Sequence, residues 1–69
     1  MAGELPARAQ ALLDRGLEKY ARGDLLGAIN EWQHALSVDR SLTLASEYID
    51  YVRENFDALS EGFAQAQNA

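Results

Sequence analysis

The chain has 69 residues, a formal charge of −5 and no cysteine. That length holds one domain at most, with a proportionally small core, and the lack of thiols excludes a disulfide framework or a thiolate metal site. No apolar run approaches the ~20 residues that span a bilayer, and the opening "MAGELPARAQ" lacks the basic-then-apolar order of a secretory signal, so the expectation is a cytoplasmic chain without membrane insertion.

The first helical pattern covers about residues 6–22. Pro6 suits a first turn, where its missing N–H costs nothing, and Leu12, Leu13, Gly16, Leu17 and Tyr20 then recur at helical spacing. Gly23 stands where a left-handed residue would close this helix, and Asp24 follows as the cap acceptor of the next, so the joint is very short. Residues 25–37 form the second pattern, with Leu25, Ala28, Ile29, Trp32, Ala35 and Leu36 on one stripe and Asn30, Glu31, Gln33 and His34 facing away. After the break "SVDRS", Ser41 is placed to cap a long third helix whose apolar positions Ala45, Tyr48, Ile49, Val52, Phe56, Leu59 and Phe63 keep helical spacing. The chain thus divides into a flexible start at residues 1–5, an all-α three-helix domain at 6–63 and a frayed tail at 64–69.

Within this frame Leu12, Gly16, Tyr20, Gly23, Asp24, Ala28, Trp32, Ala35, Leu36 and Asp39 fall at spacings that resemble the tetratricopeptide repeat over about residues 9–42. Small residues at Gly16 and Ala28 let two helices approach closely, and Trp32 fills the wedge between them. Arg15 and Arg40 depart from that pattern, which usually has leucine and proline there. The resemblance implies a helix-turn-helix repeat followed by a third helix; a generic three-helix bundle would show the same helices. A less specific likeness runs from "AINEWQHAL" to "YIDYVRENF" and is similar to short repeat segments of bacterial signalling, pilus or secretion proteins.

Catalytic chemistry has few candidates. The sequence has one histidine, no glycine-rich phosphate loop and no serine at a recognisable distance from that histidine, so no catalytic residue, cofactor or metal is assigned. Glu31 and His34 form a single E-x-x-H step, whereas carboxylate-bridged metal bundles need two. Asp50, Glu54 and Asp57 share a helix side but lack the glycine-containing loop of a calcium site.

Binding chemistry has more. Beyond residue 40 only Arg53 opposes Glu47, Asp50, Glu54, Asp57 and Glu61, a surface that repels phosphate backbones and argues against nucleic acid. The resemblance implies a concave groove lined by the first helix of each repeat, here Leu13, Leu17 and Tyr20, facing Glu47, Tyr51 and Glu54 on the third helix. The expected partner is a protein or peptide, amphipathic and basic, and not a carboxylate-clamped C-terminus. Self-association is the alternative: one repeat cannot enclose a solenoid core, and Leu59 and Phe63 extend the apolar stripe past the hairpin, where two chains could pair as a homodimer.

The assigned register makes Trp32 the central core residue. Trp32→Ala should lower stability by about 3–5 kcal/mol; a variant that kept its helical circular dichroism and melting temperature would move Trp32 to the surface and overturn the register.

Overall fold

The computed structural model describes residues 7–68, with side chains to residue 62. Four helices follow in chain order, α1 (Ala7–Ala21), α2 (Leu25–Val38), α3 (Thr43–Glu54) and α4 (Phe56–Asn68), and no strand occurs among the described residues. The flexible start expected at residues 1–5 lies outside them.

The α1–α2 joint follows its local chemistry. Gly23 adopts a φ of 86°, a conformation that costs a residue without Cβ little. Its N–H donates to Tyr20 O at 2.9 Å and that of Asp24 donates to Lys19 O at 2.9 Å, the paired bonds of a Schellman end. The Asp24 carboxylate then accepts from Gly27 N at 3.0 Å, capping α2. Two antiparallel helices result, joined with no slack.

One side chain fastens the hairpin. Trp32 is 1 % exposed, and its Nε1 donates to Leu13 O of α1 at 3.2 Å, so a buried donor finds a partner across the interface. Its ring lies where a Gly16 side chain would otherwise be: a Cβ built there would come within 2.2 Å of Trp32 Nε1. Ala9, Ala28, Ala35 and Ala45 are fully buried around this contact, and Leu12, Leu13, Leu25, Ile29, Leu42, Ile49 and Val52 complete the core. α3 packs on α2 and adds Tyr48, whose ring centroid is 5.3 Å from that of Trp32.

The third helix departs from expectation in two respects. Ser41 does not cap it. Its N–H and Oγ both donate to Asp39 Oδ1, at 3.0 and 2.6 Å, forming an Asx turn, and Leu42 takes the cap position without a side-chain bond. Leu42 is 3 % exposed and is held there by burial. Nor is the helix continuous to Phe63. It breaks at Asn55, whose φ of −114° and ψ of 17° leave the helical region. The Asn55 side-chain Nδ2 donates to Tyr51 O at 2.8 Å while its backbone N–H donates to the same oxygen at 3.1 Å, a local competition with the helical ladder typical of asparagine. Asn55 O in turn accepts from Leu59 N at 2.9 Å, so α4 starts at once, with Asp57 in its positive first turn. Phe56 and Leu59 rest against the core half-buried, and α4 contributes no fully buried residue among those described. The α4 backbone stays helical to Asn68, through the residues expected to fray. The molecule is accordingly elongated, 47 × 19 × 15 Å.

Glycine-to-alanine exchange ordinarily favours a helix interior by up to about 1 kcal/mol. At Gly16 the sign should reverse, because the Trp32 ring is buried and bonded and cannot withdraw; a net loss of about 1–3 kcal/mol is expected. Gly62→Ala, with nothing within 4 Å, should raise helicity. Thermal melts of both variants check the contrast, and equal shifts of one sign would refute the close Gly16–Trp32 approach.

Candidate functional site

Both faces of the hairpin carry a depression, and their chemistry is opposite. On α1 the helical period sets Arg8, Leu12 and Arg15 on the far side from Leu17 and Tyr20.

The first depression is a cleft of 430 Å³ between α1 and α3, lined by Leu17, Tyr20, Trp32, Glu47, Tyr48, Tyr51 and Val52. Its walls are aromatic and aliphatic, and Glu47 is the one charged residue among them. Leu17 is 41 % and Tyr51 54 % exposed, large apolar surfaces that a folded monomer leaves to water at this place. Trp32, pinned from behind by its bond to Leu13, closes the floor. Tyr20 and Tyr48 flank it, with ring centroids 6.4 and 5.3 Å from the indole and planes tilted by 36° and 52°.

Of the residues that sequence analysis assigned to a partner groove, the fold brings Leu17, Tyr20, Glu47 and Tyr51 together in this cleft. Leu13 is corrected to the core: although it shares the helical face of Leu17 and Tyr20, it is 4 % exposed within the core cluster, and its carbonyl is the Trp32 acceptor. Glu54 is exposed at the end of α3, outside the lining. Three residues of the cleft were missed, Trp32, Tyr48 and Val52, all read as core. Tyr48 is half-buried and serves core and cleft together, which helical spacing alone does not signal. Of the two residues assigned to self-association, Leu59 is half-buried against the core, and the Phe63 side chain lies outside those described.

The second depression, 780 Å³ in volume, opens on the other face of the hairpin and is lined in part by Arg8, Arg15, Glu31, His34 and Ser37. Here Glu31 is corrected. Expected to face solvent, it is 6 % exposed at the α1–α2 contact. Arg15 Nε lies 3.0 Å from Glu31 Oε2 and Lys19 Nζ 3.8 Å from Oε1. The Arg15 approach is a charge contact without hydrogen-bond alignment, and Oε2 has no hydrogen-bond donor. Arg15 thus answers a carboxylate on the facing helix. His34 is exposed one turn beyond, and no group of three or more metal-ligating side chains occurs among the described residues.

The ion pairs hold a buried charge whose cations are partly in water, their side chains 64 % and 33 % exposed. Removing both cations by Arg15→Leu with Lys19→Leu should lower stability by about 2 kcal/mol, an allowance reduced for solvent screening. Arg15→Leu with Glu31→Leu should leave the melting temperature unchanged or raise it, since an apolar pair removes the desolvation penalty. Denaturant titrations of the two double variants check the order. Comparison with protein-family models, curated proteins and solved structures finds no match, so the functional argument rests on the chemistry of the cleft.

Proposed function

We propose that this chain is a non-enzymatic, cytoplasmic protein-interaction module, a single tetratricopeptide-like hairpin with following helices, that takes a basic amphipathic peptide or helix in the α1–α3 cleft. The observation that carries the proposal is the cleft itself: apolar walls with exposed Leu17 and Tyr51, and a lone carboxylate, Glu47. Binding sites for protein segments join desolvated aromatic anchors to a polar rim, and this lining has that form. The repeat assignment draws support from the Gly16–Trp32 approach and from the Schellman joint at Gly23, which occur at the family's small-residue and turn positions. The charge of the chain, −5, favours a basic partner over an acidic one.

Rim charges mainly set encounter rate, while buried contact area sets residence time. For an immobilised amphipathic peptide of leucine and lysine, Glu47→Lys should therefore slow association and flatten its salt dependence, with a smaller effect from Glu54→Lys outside the lining. Leu17→Ala and Tyr51→Ala should chiefly speed dissociation, by about tenfold each. Surface plasmon resonance separates the two rates. Binding that survives all four substitutions but is lost on changing Asn30, Gln33 and His34 would move the site to the outer face of α2.

A further inference from the structure

Three rings meet at the cleft floor, and their arrangement is more specific than an apolar groove requires. Tyr20 and Tyr48 pack on Trp32 at 6.4 and 5.3 Å between centroids, neither parallel to it, and all three rings line the cleft. Tyr51, one turn beyond Glu47 on α3, adds a fourth ring to the lining. A leucine or phenylalanine anchor would be served equally well by aliphatic walls. Clustered aromatic faces beside a single carboxylate favour something else, a cation that has shed most of its water. An ammonium or guanidinium group is attracted to a ring face within about 6 Å of the centroid, and a concave set of rings lets one cation meet several faces at once.

The residues that line the cleft include neither lysine nor arginine. Arg15 and Lys19, the nearest cations on α1 in sequence, are engaged with Glu31 instead. Glu47 supplies the opposite charge at the edge, and its exposure means that it loses little hydration until the ligand arrives. We infer that the cleft is an aromatic pocket for one organic cation, a lysine, methylated lysine or arginine side chain projecting from the bound peptide, with Tyr20, Tyr48 and Tyr51 around the charged head and Glu47 as its counter-ion. This rests on the assignment of the cleft as the peptide site and adds what it selects. The stem of such a side chain is itself apolar and lies along Leu17 and Val52, while a methylated head gives up less hydration on entering than a bare ammonium does.

The probe is the leucine–lysine peptide with each lysine replaced in turn by trimethyllysine, by arginine or by the uncharged carbon isostere of trimethyllysine, which ends in a tert-butyl group. At one position the trimethyllysine peptide should bind the intact chain about fivefold or more tightly than its isostere, which has nearly the same shape and no charge. Tyr51→Leu should bring that ratio close to one, and Tyr51→Phe, which keeps the ring, should preserve it. Tyr51 is more than half exposed, so neither change threatens the fold. Glu47→Gln should weaken the cationic peptides and leave the isostere unaffected. The arginine and lysine arms show which head group is preferred. Equal binding of cation and isostere at every position would overturn the cation pocket while leaving the peptide site in place. The absence of binding by any peptide would remove both.

Discussion

The contact between Trp32 and the bare backbone at Gly16 governs the rest of the molecule. A ring this large fits between two helices only where one of them presents no side chain, and its N–H fits only where a carbonyl, that of Leu13, can share a lone pair. Both conditions are met within one turn of α1. Once seated, the indole sets the separation of α1 and α2, and the fully buried alanines of both helices close the remaining space. The same ring forms the floor of the α1–α3 cleft. Core and candidate site are therefore one physical object, and a change in the α1–α2 separation would also be a change in the shape of the cleft.

The hairpin is chemically two-faced. On one side aromatic rings line a cleft with Glu47 at its edge; on the other, Arg15 and Lys19 converge on buried Glu31. A further helix placed on the Arg15–Glu31 side would have to desolvate charges that already have partners, whereas the other side presents an apolar surface without that cost. The charged Arg15 thus has a local physical reason.

Much of this was legible in the residues. The helical periods of α1 and α2, the Gly23–Asp24 joint and the pairing of a small residue with Trp32 are short-range or periodic signals, and such signals survive in one dimension. Four of the six residues assigned to a groove line the cleft for the same reason, since spacing on a helix fixes a face. Leu13 shares the helical face of Leu17 and Tyr20 and failed because the core covers that face one turn before Leu17. Glu31 failed because a polar residue is ordinarily placed outside, and only the facing Arg15 and Lys19, sixteen and twelve positions earlier, reveal why it is not. The break at Asn55 was hidden by the apolar period, which runs through it undisturbed; one side-chain amide bonding Tyr51 O was enough to end a helix that its hydrophobic spacing would have continued.

Trp32 is the sole tryptophan of the chain, and it stands within a few ångströms of a tyrosine on each neighbouring helix, Tyr20 on α1 and Tyr48 on α3. Light absorbed by either phenol passes efficiently to the indole at such separations, so the emission of the native chain is dominated by one buried fluorophore fed from two sides. That makes the molecule its own optical ruler. Separation of α1 or α3 from α2 releases tyrosine emission, while wetting of the indole moves its emission to the red, and the two signals read helix undocking and core exposure separately in an unlabelled sample.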